Sequence, residues 1–310
     1  GSRFTRLCSG AERSGIMKDY LLALDAGGTF LKAGLFEGQS PVAGSFCSHP
    51  ANSNGTTEEV HAAYTALLAE MRNRAEAMGG RITGVAVDLP GPYDYKNGIS
   101  RMKHKYTAIC GIPLRPWFAE VLGDIPVRFL HDSAAFILGA AETDSPYRRI
   151  AGVMLGTGLG FALTVNGKPC LTDRGTPLVS IWNTPYRDGI AEDYISARAI
   201  VKHYNELAPS PLASAKEIGD RADAGDPLAR QVYEDMGRDL GTVVRGILRE
   251  NEMEALYLGG QISRSYPVFG GALREALGNI PSLRLITPVR NPDLVHLVGA
   301  ARFWRQQMQR

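Results

Sequence analysis

The stretch Leu24-Asp25-Ala26-Gly27-Gly28-Thr29-Phe30 is the most informative part of this sequence, because an apolar run breaks there at paired glycines. The residues on either side, 20–24 and 30–36, follow strand patterns, so the stretch predicts a β-hairpin with a glycine elbow. Glycine lacks a Cβ, so neighbouring backbone N–H groups can approach an anion and form a phosphate cradle. The turn is therefore a candidate phosphate-binding site.

A second turn of the same kind lies at mid-chain, Gly156-Thr157-Gly158-Leu159-Gly160. It sits inside the strand-like stretch 150–165, and the following Asn166-Gly167 is a strong signal for a further hairpin. Each turn alone is as compatible with an ordinary hairpin as with phosphate binding, and neither matches a Rossmann or Walker pattern. If the two turns face each other across two lobes, they can hold a polyphosphate between them.

The composition is that of an ordinary globular chain. Its 310 residues, 44% hydrophobic and 21% charged, are enough for two domains with their own cores. A net charge of +2 argues against a nucleic-acid binder, and no apolar run approaches the roughly 18 residues of a membrane helix. The four cysteines are scattered singly, which predicts neither a zinc knuckle nor disulfides and favours a cytoplasmic location.

Strands and helices alternate in both halves, which predicts an α/β protein with two similar lobes and a cleft between them. Residues 1–16 are expected to be an N-terminal extension or tag remnant before a start at Met17. The N-terminal lobe is then predicted to comprise 17–125 plus 292–310, and the C-terminal lobe 126–291. Helices are expected over 58–78, 114–122, 133–142, 190–207, 214–224, 227–250, 266–277 and 294–309, the last returning to pack on the first half.

Several strand ends carry side chains suited to chemistry, and ligands gather at such ends in open α/β sheets. Asp132 lies at the junction of a strand and a helix, where it either accepts a proton from a hydroxyl group or caps the helix. Asp25 can likewise be a turn former, and Asp88 either a ligand contact or a loop acid. The three strand ends read Asp88-Leu89-Pro90-Gly91-Pro92, His131-Asp132 and Gly259-Gly260.

In this order and spacing, the motifs together resemble the ROK family of sugar kinases, within the actin/hexokinase/Hsp70 ATPase superfold. The resemblance covers residues 18–304 and implies a ribonuclease-H-like sheet in each lobe, with ATP bound in the cleft between the lobes. It is carried by Asp25-x-Gly27-Gly28-Thr29-x-x-Lys32, Pro90-Gly91-Pro92, Asp132, Gly156-Thr157-Gly158-x-Gly160 and Leu258-Gly259-Gly260-x-Ile262-Ser263.

The resemblance also implies a role for each matching residue. Asp132 is the implied catalytic base, and Asp25 is expected near Mg²⁺ and its waters. The sugar contacts are expected to be Gly91, His131, Asp132 and Glu192, and a homodimer is a reasonable expectation. The implied ATP-binding residues are Asp25, Gly27, Gly28, Thr29, Lys32, Gly156, Thr157, Gly158, Gly160, Gly259 and Gly260.

The sequence departs from the family on the acceptor side. The segment 175–189 has neither the cysteines nor the histidine of the family's zinc loop, so no structural zinc is expected. Glu192 either accepts a sugar hydroxyl or is an ordinary first-turn glutamate. His131 replaces the usual asparagine before the base, and the family's sugar-contacting asparagine is not evident. The stretch in its place contains Lys103-His104-Lys105, which is either a solvated loop or a contact for an acidic or phosphorylated acceptor.

The expected activity is the ATP- and Mg²⁺-dependent phosphorylation of a hydroxyl group of a sugar or sugar derivative, by a glucokinase-like or hexose-kinase-like phosphotransferase. The alternative is a degenerate family member that binds sugar and nucleotide without catalysis. The family also contains DNA-binding repressors, which need a helix-turn-helix before the first turn. Only 24 residues precede Asp25, so a repressor is not expected.

Overall fold

A computed structural model describes residues 15–141 and 145–309 of the chain. Its strands are β1 (Lys18–Ala26), β2 (Phe30–Glu37), β3 (Ser40–Pro41), β4 (Cys47–Pro50), β5 (Gly80–Leu89), β6 (Tyr93–Asp94), β7 (Ile99–Ser100), β8 (Val127–His131), β9 (Arg149–Leu155), β10 (Leu159–Val165), β11 (Lys168–Pro169), β12 (Pro185–Tyr186), β13 (Gly189–Ile190), β14 (Ala255–Gly259) and β15 (Leu285–Pro288). Its α-helices are α1 (Thr57–Ala77), α2 (Arg115–Leu122), α3 (Asp132–Ala140), α4 (Ala197–Leu207), α5 (Ala215–Asp223), α6 (Pro227–Glu250), α7 (Tyr266–Leu277) and α8 (Val295–Met308), with short 3-10 turns at Thr107–Ile109, Ala191–Asp193 and Gln261–Ser265.

The first sheet has the strand order β3-β2-β1-β5-β8, and β4 also pairs with β2. Strands β1 and β2 form the predicted antiparallel hairpin around Gly27-Gly28-Thr29, whereas β1, β5 and β8 are parallel. The register places Asp25 beside Asp88 and Leu89 beside His131. The carboxyl ends of parallel strands share one edge of the sheet, so the candidate site residues Asp25, Asp88 and His131 lie together.

The second sheet, β11-β10-β9-β14-β15, repeats this arrangement. Strands β9 and β10 are an antiparallel hairpin around Gly156-Thr157-Gly158, while β9, β14 and β15 are parallel. The predicted turn between β10 and β11 is also present, with φ of 52° at Asn166 and 75° at Gly167. Positive φ at both central residues is the requirement of a tight type I′ turn. The two lobes predicted from the paired glycine turns are therefore present.

Helices cover both faces of the first sheet. On one face Leu67 of α1 and Phe118 of α2 pack with Leu22 and Leu24 of β1. On the other face α8 packs against the opposite side of β1, which confirms that the last helix returns to the first half. Alternate residues of a strand point to opposite faces, so Asp25 points toward the α8 side.

Helix α3 packs on both sheets and carries Asp132 between them. Its Ala134 and Ala135 belong to the apolar cluster under α8, and its Phe136 packs with Tyr257 of the second sheet. The opposite face of the second sheet is covered by α4, α6 and α7. The start of α3 is thus the point where the two lobes meet.

Helices α3 and α8 cross backbone to backbone. A Cβ on Gly139 would lie 1.8 Å from the carbonyl oxygen of Val295, and a Cβ on Gly299 would lie 1.6 Å from that of Ala135. Only glycine fits at both positions, because any side chain would force the helices apart. This crossing fixes where the first turn of α8 stands relative to the first sheet.

Two boundaries differ from the sequence prediction. Strand β8 is the outer strand of the first sheet, so this sheet extends beyond the predicted lobe boundary at 125/126. The helix expected over 190–207 begins only at Ala197, because Ser196 caps it by accepting the N–H of Ala199 at 3.3 Å. Residue 142, the predicted end of α3, and residues 1–14 of the predicted extension lie outside the described residues.

Candidate functional site

The first glycine turn is held in place by hydroxyl groups from two neighbouring loops. The Tyr106 hydroxyl donates to the carbonyl oxygen of Gly27, and the Ser53 hydroxyl donates to that of Gly28. The N–H of Gly27 donates to the Phe30 carbonyl oxygen at 3.1 Å, closing the turn. Within the described residues, the N–H groups of Gly28 and Thr29 donate to no protein atom. The turn therefore presents two free donors at the sheet edge.

The second glycine turn has the same property. The Gly156 N–H donates to the Gly158 carbonyl oxygen at 3.2 Å, and the Ala197 N–H donates to the Gly156 carbonyl oxygen at 2.8 Å. In the part of the chain that the structure covers, the N–H groups of Thr157 and Gly158 have no acceptor. Unpaired N–H groups at a glycine turn are what an anion-binding cradle requires.

Glu192 lies directly beside this second turn. Its Oε2 accepts the N–H of Leu159 at 2.9 Å and stands 3.0 Å from where a Cβ of Gly158 would be. Its Oε1 is 3.9 Å from a guanidinium nitrogen of Arg198. One carboxylate oxygen thus supports the turn, and the other lies toward Arg198.

The other predicted ATP-binding residues described next are Gly259, Gly260 and Lys32, and each has different neighbours. A Cβ at Gly259 would meet the Phe136 ring at 2.2 Å. Gly260 has a φ of +81°, and its Cβ would lie 2.1 Å from the Leu155 carbonyl oxygen. Both glycines are therefore required by packing next to the second turn. Lys32 pairs with Asp25 across the β1–β2 hairpin, so the two side chains share the face toward α8.

Asp132 occupies the first position of α3, and its Oδ1 accepts the N–H of Ser133 at 2.7 Å. The Nδ1 atom of His131 is 2.9 Å from this oxygen and 3.0 Å from the Ser133 nitrogen. The Ser133 N–H is thus shared between Asp132 Oδ1 and His131 Nδ1, and in the protonated imidazole Nδ1 donates to the Asp132 carboxylate instead. Burial alone would raise the pKa of Asp132, but hydrogen bonding with the His131 ring and the electrostatic influence of His131, His296 and Lys105 lower it to about 2.

The other face of the His131 ring borders the acceptor side. Its Nε2 atom is 3.3 Å from where a Cβ of Gly91 would be, and Tyr95 lies against the ring at a centroid distance of 5.8 Å. The Tyr95 hydroxyl donates to the Leu89 carbonyl oxygen at 3.1 Å, which holds the ring in place. The absence of a side chain on Gly91 leaves the space beside Nε2 open.

Lys105 lies at the first glycine turn, whereas the sequence alone indicates either a solvated loop or an acceptor contact for the run 103–105. Its Nζ is 3.8 Å and its Cδ 3.5 Å from where a Cβ of Gly28 would be, at the first glycine turn. Its charge also contributes to the low pKa of Asp132. The neighbouring Tyr106, hydrogen-bonded to Gly27, anchors the loop. The signal in the sequence was the basic run itself, but nothing local indicated which lysine turns inward.

A group of titratable side chains lies under the first turn. Donor atoms of Asp25, Asp88 and His296 lie within 4.8 Å of one another. Asp88 is fully buried, and its burial together with the Asp25 carboxylate raises its pKa well above the ordinary value. His296 comes from the first turn of α8 and has no motif in the sequence that could have identified it. Asp25, the predicted neighbour of Mg²⁺, therefore has oxygen and nitrogen donors beside it.

The described helices include none that is both long and apolar enough to cross a membrane.

The fold and the site together define a two-lobed α/β protein with a candidate nucleotide cleft, and comparison with known proteins gives the family. The model of the ROK family matches residues 21–177. The chain belongs to the ROK family.

Two curated relatives and one solved structure resemble most of the chain. A glucokinase of Thermotoga maritima is 28% identical over 280 residues, covering 82% of this chain and 86% of the relative. An N-acetyl-D-glucosamine kinase of Escherichia coli is 27% identical over 271 residues, covering 79% and 88%. The crystal structure of a ROK family glucokinase from Streptomyces griseus in complex with glucose and AMPPNP has a TM-score of 0.73 at 20% identity, covering 93% of this chain and 99% of that one.

These similarities confirm the predicted family and the predicted actin-like ATPase fold. They also confirm the predicted enzyme class, a phosphotransferase with an alcohol acceptor, because the curated relatives are sugar kinases. The roles of individual residues stay predictions.

Proposed function

We propose that the protein transfers the γ-phosphoryl group of ATP to a hydroxyl group of a sugar or sugar derivative. The observation that carries the proposal is the position of Asp132, at the start of α3 where the two lobes meet, together with two glycine turns whose N–H groups are free within the described residues. A carboxylate base next to an anion cradle is the arrangement that phosphoryl transfer to a hydroxyl requires. The names of the curated relatives support a sugar as the acceptor.

On the donor side, the free N–H groups of the turns 27–29 and 156–158 fit phosphate oxygens. The Lys105 ammonium adds a positive charge at the first turn. Asp25 is the carboxylate that would hold Mg²⁺, whose chemistry when bound is to neutralise the charge of the phosphates. Main-chain donors fixed by Tyr106 and Ser53 need no reorganisation when charge develops on the transferred group.

On the acceptor side, Asp132 removes the proton from the attacking hydroxyl group. Its Oδ1 is engaged by Ser133 and His131, which leaves Oδ2 to accept this proton. The low pKa of Asp132 keeps the carboxylate ionised at neutral pH. The His131 Nε2 faces the open space beside Gly91, where it can form a hydrogen bond with a second hydroxyl group of the substrate. Glu192 offers its Oε1 from the opposite lobe.

The test is sugar-dependent ATP consumption with a panel of hexoses, N-acetylhexosamines and glycosides. We expect turnover with at least one sugar, and we expect Asp132→Asn to lower kcat by about 10²- to 10⁴-fold, the usual contribution of a general base. Asp173→Asn, at an exposed position on the surface, is the matched control and should leave kcat unchanged. No turnover with any sugar, or equal turnover in Asp132→Asn, would overturn the proposal.

The alternative, a member that binds its ligands without catalysis, is not favoured. Asp132 is ionised and both cradles retain free donors, so nothing in the donor half is degraded. For such a protein, calorimetry would detect binding of nucleotide and sugar, but the protein would consume no ATP.

A further inference from the structure

Unpaired polar atoms are concentrated beneath the first glycine turn. Among the described residues, five buried side-chain polar atoms lack a hydrogen-bond partner, and three of them are both oxygens of Asp88 and the Nδ1 of His296. Asp88 is fully buried. A buried carboxylate without a partner is costly, because it loses its hydration and gains nothing in return. The unpaired Asp88 carboxyl and the unpaired His296 nitrogen, side by side, therefore indicate a shared ligand.

The separation of these atoms indicates what kind of ligand is missing. The His296 Nδ1 is 3.7 Å from Asp88 Oδ1, which is too long for a hydrogen bond. Two ligands bound to one cation at about 2.1 Å lie roughly 3.0 to 3.4 Å apart, depending on the coordination geometry. The 3.7 Å between His296 Nδ1 and Asp88 Oδ1 is close to this spacing, and a donor atom of Asp25 lies within 4.8 Å of both residues.

The backbone holds the three donors on one side of the first sheet. Asp25 and Asp88 are neighbours in the parallel register of β1 and β5, so their side chains point to the same face. Helix α8 covers that face and brings His296 over the two carboxylates. The glycine crossing lets α8 pack directly on the backbone of α3, next to the first sheet. The site is therefore built into the scaffold before any ligand binds.

We propose that Asp25, Asp88 and His296 together bind a divalent cation directly, without nucleotide, and bind Mn²⁺ or Co²⁺ more tightly than Mg²⁺. The preference follows from the imidazole nitrogen, a ligand that suits first-row transition ions better than Mg²⁺, which favours oxygen. The cation would lie at the first glycine turn, so its role in catalysis rests on the proposed kinase function. Its binding can be measured independently of that function.

The competing occupant is a proton. Burial and the carboxylate of Asp25 favour the protonated form of Asp88, and a carboxyl group shared between two aspartates needs no metal. A proton, however, leaves Nδ1 of His296 without a partner at 3.7 Å. A cation satisfies all three side chains at once.

The test is calorimetric titration of metal-stripped protein with MnCl₂, CoCl₂ and MgCl₂ in the absence of nucleotide and sugar. We expect one Mn²⁺ or Co²⁺ site per chain, and the Co²⁺ absorption spectrum reports nitrogen ligation independently. Asp88→Asn and His296→Ala should weaken Mn²⁺ binding by at least about 100-fold, beyond the loss caused by removing an outer-shell partner. His296→Ala should also remove the preference over Mg²⁺.

The matched control is His203→Ala, which removes a histidine from a surface pair with Asp235 at 3.0 Å. This variant should bind Mn²⁺ as the wild type does. Circular dichroism verifies that each variant is folded. The proposal is overturned if the wild type binds no cation without nucleotide, which would leave the site to a proton, or if folded Asp88→Asn binds Mn²⁺ equally well, which would place the bound cation elsewhere. Sugar-dependent turnover without such binding refutes only this proposal, and binding without turnover refutes only the kinase function.

Discussion

Replacing Lys105 by methionine tests the role of the ammonium group that lies at the first glycine turn. The Lys105 Nζ lies 3.8 Å from where a Cβ of Gly28 would be, so an anion bound to the free Gly28 N–H is within its reach. Methionine keeps most of the apolar stem and removes only the charged donor. Removing one preorganised donor to a developing charge costs about 10²- to 10³-fold in kcat, or about 2.7 to 4 kcal/mol. We expect Lys105→Met to fall in this range.

The same substitution has a second consequence that a structural defect would not produce. Lys105 helps to lower the pKa of Asp132 to about 2, so its loss raises that pKa. The carboxylate base is present above its pKa and lost as the pH falls through it. The acidic limb of the kcat profile should therefore move to higher pH in Lys105→Met, while the plateau falls.

The assay is ADP formation at saturating sugar, quantified by chromatography after quenching, from neutral pH down to about pH 2, because the pKa of Asp132 is about 2. Lys103→Met is the matched control, because Lys103 is exposed on the same loop and should leave both kcat and the pH profile unchanged. If Lys105→Met retains the wild-type kcat, or loses no more than Lys103→Met, the placement of the ammonium at the transferred phosphoryl group is refuted.

Two further predictions concern stability and thiol chemistry. Gly260→Ala should lower the free energy of unfolding by about 3 kcal/mol or more, because φ is +81° and the new Cβ would lie 2.1 Å from the Leu155 carbonyl oxygen. Urea unfolding measures this, and Gly271→Ala, at an open helical position, should change stability by about 1 kcal/mol at most. Burial and the neighbouring Glu70 raise the pKa of Cys47 to about 11, so at pH 8 its alkylation by iodoacetamide should be roughly 100-fold slower than that of an ordinary thiol. Mass spectrometry of the peptides follows both Cys47 and the exposed Cys110, and equal rates would contradict the prediction.

The features that the sequence predicted correctly are local ones. The two glycine turns follow from apolar runs that stop at glycine and resume with strand alternation, and the structure has both hairpins where the runs predicted them. The Asn166-Gly167 turn follows from the backbone conformations that these residues allow. Asp132 could be singled out because it stands between a strand and a helix, and both elements have clear patterns.

The features that the sequence missed depend on pairings between distant segments. Helix α4 begins at Ala197 and not at residue 190, because the Ser196 cap outweighs the apolar pattern of 190–196. Strand β8 pairs with β5 in the first sheet, although it lies beyond the predicted lobe boundary. Lys105 faces the first glycine turn because its loop is held there by the hydrogen bond from the Tyr106 hydroxyl to the Gly27 carbonyl oxygen.

The sequence by itself therefore determined the two glycine turns and the place of Asp132 between a strand and a helix, because each is a backbone turn or a strand end encoded by neighbouring residues. Only the tertiary structure decided that Asp88 is buried beside Asp25 and that His296 completes the group. The register of parallel strands and the backbone contact of α3 with α8 bring these residues together, and no local periodicity carries that information.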